Sequence, residues 1–555
     1  MRNISKIITI SVLSSVALLG ASPHIPNSST IDRQIEAPKD IPLHKKESIN
    51  IQGVEVDSLK SYDSSKTVLI SDFNFIGNSK ISSDELKSAL NEYVGKDLTF
   101  NQIQEVLAIV TKVYRDKGYF IARAYLQQQD INKNGGVLII SVVEGKYGEI
   151  KLNNSSLVKD SSLKAILDNA KSNDIIKIED IQRALLLIND RAGVQVSSSL
   201  IEAGEVQGSS NLVVETLATP KVDGYVVLDN YGGRYTGLYR VQSLVNVNSL
   251  ATLGDKLSVS GLVSNGADLK NGRLAYEIPL NSYGLKGDVA YSRTNYNLVK
   301  EYKNLDAKGN SNIYEVGLSY PLLRTIDESL YLRAKYYHKN LNDYMLGDKS
   351  EDKNINSLVV SLNYEKNYYL GNYPSRLFSN LNLTTGHLKS ISNKFNDETY
   401  NKVDIYLSNQ IAFSNIFSFN QTLKAQKVLG NKNLDGSEDL SLGGAYDVKV
   451  YPDSEKSGEN GYILNFELLS QLPNISSYNH KVGVFYDMGN VYQEINQDVT
   501  FNRKTLQDIG LGYYSSYKDF FAKVQMAWAL NSDPISSEKT SHQNSKLLFQ
   551  AGLVF

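Results

Sequence analysis

Lys546-Leu547-Leu548-Phe549-Gln550-Ala551-Gly552-Leu553-Val554-Phe555 alternates to its last residue. Leu547, Phe549, Ala551, Leu553 and Phe555 fall on one face and Lys546, Leu548, Gln550, Gly552 and Val554 on the other, the period of two that a β-strand imposes. One apolar face and a terminal aromatic ring match the closing strand of a bacterial outer-membrane barrel, with the ring in the interfacial girdle. Phe555 and Leu553 are read as that closing signal.

The same alternation runs back to residue 221. Leu330, Leu332, Ala334 and Tyr336 oppose Tyr331, Arg333, Lys335 and Tyr337, and Ala522, Val524, Met526 and Trp528 oppose Lys523, Gln525 and Ala527. Charge on the inner face means a wet lumen rather than a packed core. Sixteen such segments are expected, from 224–230 to 546–555, with 313–322, 327–338, 355–367 and 375–386 among them. Of 36 tyrosines only Tyr62, Tyr93, Tyr114, Tyr119, Tyr125 and Tyr147 precede residue 221, so the remaining 30 enrich the barrel, as girdles require.

At the other end, Arg2 and Lys6, apolar Ile7 to Leu19 and Leu19-Gly20-Ala21 read as a signal peptide over 1–22. No later run reaches the roughly 18 apolar residues of a spanning helix, so a membrane role demands a closed barrel. Net charge −2 points away from nucleic acid, and without cysteine there is neither a disulfide framework nor a thiolate metal site.

Residues 23–66 read as a linker, marked by Pro23, Pro26, Pro38 and Pro42, with room for a short plug helix around Ile31–Ala37. Residues 67–145 and 146–219 are two similar α+β modules. In the first, Val68–Ile70 and Phe73–Phe75 read as a strand, followed by Gly77-Asn78 as a turn. Capping boxes follow at Ser82–Glu85 and Thr99–Gln102, and Ile103, Val106, Leu107, Val110 and Tyr114 recur at helical spacing. Gly118 stops that helix, and strands Phe120–Leu126 and Val137–Val143 complete a βααββ unit. In the second, Ile181, Leu185 and Ile188 form the helical stripe, and Pro220 precedes the barrel, residues 220–555.

One barrel connection is too long. More than thirty residues separate Lys427 from Gly461 and contain Leu442-Gly443-Gly444-Ala445-Tyr446-Asp447-Val448-Lys449-Val450-Tyr451-Pro452. Loops of that length are usually functional. Folded into the lumen, Lys449 needs a carboxylate, and Asp487 in Phe485-Tyr486-Asp487-Met488-Gly489 is the candidate, with Gly489 permitting close approach. On the residues alone, a solvated external loop beside an unrelated carboxylate is an open alternative.

The order of leader, two modules and sixteen-stranded barrel with this loop resembles the two-partner-secretion transporters, the TpsB group of haemolysin and filamentous-haemagglutinin transporters. The likeness rests on Gly118-Tyr119-Phe120-Ile121-Ala122-Arg123-Ala124 with Gln129, Val142-Val143-Glu144-Gly145, Leu228-Asp229-Asn230-Tyr231-Gly232, the loop from Ser441 to Pro452, and the F-x-D-x-G wall motif at Phe485–Gly489. The family tetrapeptide VRGY is Val448-Lys449-Val450-Tyr451 here; lysine keeps the charge but loses the bidentate fork.

The resemblance implies a membrane β-barrel of sixteen antiparallel strands with two periplasmic POTRA modules, embedded in outer-membrane lipid and acting as a monomer. It implies an unfolded secreted exoprotein as partner. Gly443, Gly444, Val448, Lys449, Tyr451 and Pro452 are then the inward-loop motif, Asp487 and Gly489 its partners on the wall, and Tyr119, Arg123, Tyr125 and Gln129 substrate-binding candidates. A BamA-like insertase is the alternative within the superfamily. No enzyme and no cofactor is expected: there is no P-loop, and His24, His44, His338, His387, His480 and His542 form no metal-spaced set.

Overall fold

The computed structural model describes residues 25–35, 37–38, 41, 49, 51–52, 66–171, 175–390, 397–495, 503–531, 535, 537 and 544–555; the signal-peptide segment lies outside these. Sixteen antiparallel strands form a closed barrel. They are β1 Val222–Asp229, β2 Arg240–Asn248, β3 Lys256–Ser264, β4 Leu269–Pro279, β5 Lys286–Asn297, β6 Lys308–Arg324, β7 Glu328–Met345 and β8 Asp348–Leu370. The other eight are β9 Tyr373–Ser390, β10 Asp397–Ala412, β11 Phe417–Leu429, β12 Asn460–Gln471, β13 Tyr478–Tyr492, β14 Arg503–Tyr517, β15 Phe520–Ala529 and β16 Ser545–Val554.

The closing strand does what its alternation demands. Tyr225 to Asp229 pair with Val554 to Gln550, and Gly224 and Phe555 exchange main-chain hydrogen bonds of 2.9 and 3.0 Å. The Asn230 carboxamide lengthens the seam, donating to Leu547 O and accepting from Phe549 N, each at 2.8 Å. Leu547 and Phe555 face outward while Leu548, Gln550 and Val554 are buried inside.

Strands β6 to β9 are longer than the alternation suggested, at 17, 18, 23 and 18 residues. A membrane needs about 9–11. The surplus stands above the bilayer, where the outward face turns polar and the period-two contrast fades, while Leu341, Ile355 and Leu388 cluster on the inner side.

The linker enters the barrel. Asn27, in a reciprocal capping box with Thr30, starts a helix at Ser28–Ile31 that tightens into a 3₁₀ turn at Asp32–Ile35. The helix therefore begins three residues before the expected Ile31, because an N-cap rather than apolar spacing fixes its start. Further along, Ile51 and Gln52 pair in parallel with Ser199 and Leu200, adding a strand to the second module's sheet.

In the first module Ser82 and Thr99 cap helices Ser83–Ala89 and Phe100–Asp116, and the expected stripe from Ile103 to Tyr114 is buried. Thr67–Ile70 and Asp72–Ile76 are separate strands, the former paired with Lys96–Thr99. Glu144 accepts from Lys80 N at 2.7 Å and Tyr114 OH at 2.9 Å, tying the Val142–Gly145 segment to the opening turn. Burial, and then Glu144 itself, push the Tyr114 hydroxyl above its ordinary pKa.

The strand expected at Phe120–Leu126 starts only at Arg123. Phe120 leaves the sheet to enter the core of the second module, with Ile121 packed against the same cluster. Gly118 O and Gly145 O accept main-chain bonds of 3.0 Å from Ile178 and Ile176. The Gly118–Arg123 segment thus welds the two modules.

The second module is bolted to the barrel rim. Arg324 grips Asp190 with two bonds of 2.8 and 2.9 Å, and Tyr331 OH donates to the same carboxylate at 2.8 Å. Arg191 donates to Leu253 O at 2.7 Å and Asn281 O at 3.3 Å, and its burial lowers the guanidinium pKa to about 10. Burial alone would raise the Asp190 pKa, but Arg324 overrides it and holds the carboxyl below its ordinary value. A depressed folded value means that this contribution is complete above the unfolded value near 3.9 and is lost as pH falls through the folded one. Docking should therefore be unchanged between about pH 5 and 8 and weaken only in stronger acid. Arg324→Ala should weaken it at every pH above that by about 2–3 kcal/mol, the pair being only partly buried. Spin-label distances between module and rim check both; an unbroadened distribution in Arg324→Ala would refute the assignment.

Candidate functional site: plug, inward loop and wall

The long connection between β11 and β12 folds into the lumen. Its hairpin, Leu440–Leu442 with Lys456–Gly458, carries a tip that reaches the wall. Gly443 has φ +90°, and a Cβ there would lie 2.1 Å from Pro452 O; a Cβ on Gly489 would lie 2.5 Å from Leu442. Gly443 lets the loop tip fold tightly on itself, and Gly489 lets the loop touch the wall.

Lys449 Nζ lies 2.6 Å from Asp487 Oδ2, with Asp487 fully buried, and 4.3 Å from the centroid of the Phe485 ring. The wall motif therefore supplies a charge and an aromatic face to one cation, a combination that partly replaces the lost guanidinium fork. Asn465 of β12 binds Asp487 Oδ1 and Asp447 O, both at 2.7 Å. Val450, where relatives have glycine, is fully buried with Leu442, Val448, Tyr451, Phe485 and Leu506. Around the tip the lumen is thus an apolar core, drier than the alternation implied.

Asp508 is the residue the sequence did not disclose. It stands across from Asp487 in the β13–β14 register, is fully buried, and accepts the Val450 amide at 2.7 Å. The alternation of β14 marks it as inward, but its meeting with the loop depends on closure. Lys424 with Asp447, and Lys546 donating to Tyr451 O at 3.3 Å, complete the grip.

The loop's stem meets the plug. Glu438 binds Lys339 at 2.8 Å and Lys402 at 3.0 Å, and Asp435 binds Lys353 at 2.6 Å while accepting from Ser29 Oγ at 3.2 Å. The plug's N-terminus rests on Asp343, through Ser28 N at 2.8 Å and Ser28 Oγ at 2.9 Å. A carboxylate at free helix N–H groups is the favourable polarity. Ile31 is fully buried among Tyr235, Leu262, Leu269, Tyr296 and Tyr302, and Arg240 of β2, paired with Asp229, donates to Gln34 O at 2.5 Å.

The four candidates on the first module divide. Gln129 spends its side chain on Ile139, donating to its O at 2.7 Å and accepting from its N at 2.9 Å, a continuation of the sheet ladder. Tyr119 packs edge-on to Tyr114 within the module. Arg123 and Tyr125 lie on an edge strand, with Tyr125 40% exposed.

A sixteen-stranded barrel obstructed by an inward loop and an N-terminal helix, preceded by two POTRA modules, defines an outer-membrane polypeptide transporter. The family described as haemolysin secretion/activation protein ShlB/FhaC/HecB matches residues 208–510, and the ShlB-type POTRA domain matches residues 68–145. The chain belongs to that family. It is 28% identical over 475 residues to the heme/hemopexin transporter protein HuxB of Haemophilus influenzae (strain 86-028NP), covering 83% of each chain. Among solved structures it is similar to CdiB from Escherichia coli (TM-score 0.74, 21% identity, 91% of this chain and 94% of that one). More distant is BamA from Haemophilus ducreyi lacking POTRA domains 1–3 (TM-score 0.50, 14% identity, 88% of this chain and 100% of that one). The protein is a two-partner-secretion transporter that moves an exoprotein across the outer membrane, its POTRA modules in the periplasm.

Proposed function

We propose that this transporter serves one dedicated exoprotein, haemolysin- or adhesin-like, and captures it as an extended chain on the module sheet edges. The observation that carries this reading is the linker strand Ile51–Gln52 on the edge at Ser199–Leu200: that edge accepts an extended segment by main-chain pairing. Cargo competing for it displaces the linker, whose upstream end is the plug, and so couples recognition to opening. Arg123 and Tyr125 offer a second edge on the first module. The cargo then passes the cations of the lumen once Lys449 releases Asp487, and its folding outside supplies the drive, since the sequence carries no nucleotide-binding motif. The chain acts as a monomer in lipid, as a conduit without a catalytic step.

The test compares culture-supernatant and outer-membrane proteomes with and without the chain. Loss of one large exoprotein, other barrels unchanged, is the expected result. Broad depletion of outer-membrane barrels would make it an insertase and overturn the proposal.

A further inference from the structure

The outward face of β5 to β9 changes character in rows that the register makes explicit. Val289, Val316, Tyr336 and Leu358 are cross-strand neighbours and exposed, the top of the apolar band. One step higher, Tyr291, Tyr314 and His338 stand side by side, with ring centroids 5.0 and 6.1 Å apart: an interfacial girdle. One step higher again the row reads Arg293, Asn312, Asn340, Asn354 and Lys389. Above it lie Lys270, Asn295, Asn310 and Asn342.

We propose that this belt binds the phosphorylated sugar headgroup of an outer-leaflet glycolipid. The height is right, because a residue just above an aromatic girdle on the outer side of the barrel meets headgroups. So is the chemistry. Carboxamides on three adjacent strands suit hydroxyl- and ether-rich sugar, and a cation at each end suits a phosphate at each end. Four strand spacings separate Arg293 from Lys389, about 19 Å, which their long side chains narrow.

The belt is braced along its own face. Tyr291 OH donates to the Asn312 carbonyl at 2.9 Å, Asn312 and Asn342 donate to Asn310 Oδ1 at 3.5 and 3.3 Å, and Arg293 donates to Asn295 Oδ1 at 3.4 Å. Among the described residues, no hydrogen bond within the chain uses the Asn340 or Asn354 side chain, and no carboxylate lies within 4.0 Å of Arg293, Lys270 or Lys389. The nearby carboxylates Asp352 and Asp397 are held by Lys349 at 2.5 Å and His387 at 3.1 Å.

The experiment uses the full-length protein in a neutral maltoside detergent, with thermal unfolding and native mass spectrometry as readouts. The added lipids are bisphosphorylated lipid A, its dephosphorylated form, and phosphatidylglycerol. Lipid A should raise the unfolding temperature and bind at least tenfold more tightly than either of the others. R293A/K389A should lose that preference, and N340A/N354A should weaken lipid A binding while leaving the response to phosphatidylglycerol unchanged. These positions are on the outer surface, and unaltered heat-modifiable mobility on gels verifies folding. Equal binding of lipid A and phosphatidylglycerol, or variants that bind lipid A as the wild type does, would overturn the proposal.

Discussion

Asp487→Ala is expected to cut secretion at least tenfold while leaving the barrel folded and heat-modifiable. The carboxylate is fully buried and holds Lys449 at 2.6 Å, so its loss strands an ammonium group in a site with little water. Breaking a buried pair from one side costs about 3–5 kcal/mol, equivalent to roughly two to nearly four powers of ten in a two-state equilibrium. Asp508, still bonded to the Val450 amide, will retain part of the grip. Asp487→Ala with Asp508→Asn should therefore free the loop more completely than either change alone. Lys449→Arg should be tolerated, because the guanidinium can engage Asp487 and stack on Phe485. Site-specific cross-linking between loop and β13, alongside secretion, separates a freed loop from a misfolded barrel. Wild-type secretion by Asp487→Ala would remove the lock from the mechanism.

Deleting Ser28–Ile35 should convert the obstructed barrel into an open pore, with single-channel conductance in planar bilayers rising several-fold. A sixteen-stranded barrel is wide enough for an aqueous channel unless something fills it. Here the plug and the loop fill it from opposite walls, meeting at Ser29 and Asp435. Removing the plug takes Ile31 from its aromatic cluster and leaves Asp343 and Arg240 to water, which solvates them readily. The loop still occupies part of the lumen, so combining the deletion with Asp487→Ala should raise conductance again. An unchanged conductance in the deletion would mean that the helix does not set permeability.

Much of this design is written locally. The stripe from Ile103 to Tyr114 and the Thr99–Gln102 box need nothing beyond neighbours three and four residues away and form as expected, whereas at Ser82 only the N-cap half forms and the Glu85 carboxylate pairs with Lys117 instead. Where reading by pattern slipped, a distant partner had intervened. Phe120 continues an extended, apolar stretch that reads as strand, yet it completes the core of the other module. Gln129 looked available for substrate and instead serves as a piece of ladder for Ile139. Val450, standing where the family tetrapeptide has glycine, needs no positive φ, and its side chain is buried in the luminal core.

Contiguous residues specify the class of object: a period of two over sixteen segments, girdle tyrosines, two α+β modules with capped helices in the first, and a loop too long to be idle. Each is a property of contiguous residues, because alternation and capping act over a few bonds. Only the tertiary structure decided that Asp508 joins Asp487 beneath the loop, that Ser28 rests on Asp343, and that Asp190 is clamped by Arg324. Closing the barrel is what brings residues 28 and 343 within 2.8 Å of each other, and no local periodicity encodes a contact across 315 positions of chain.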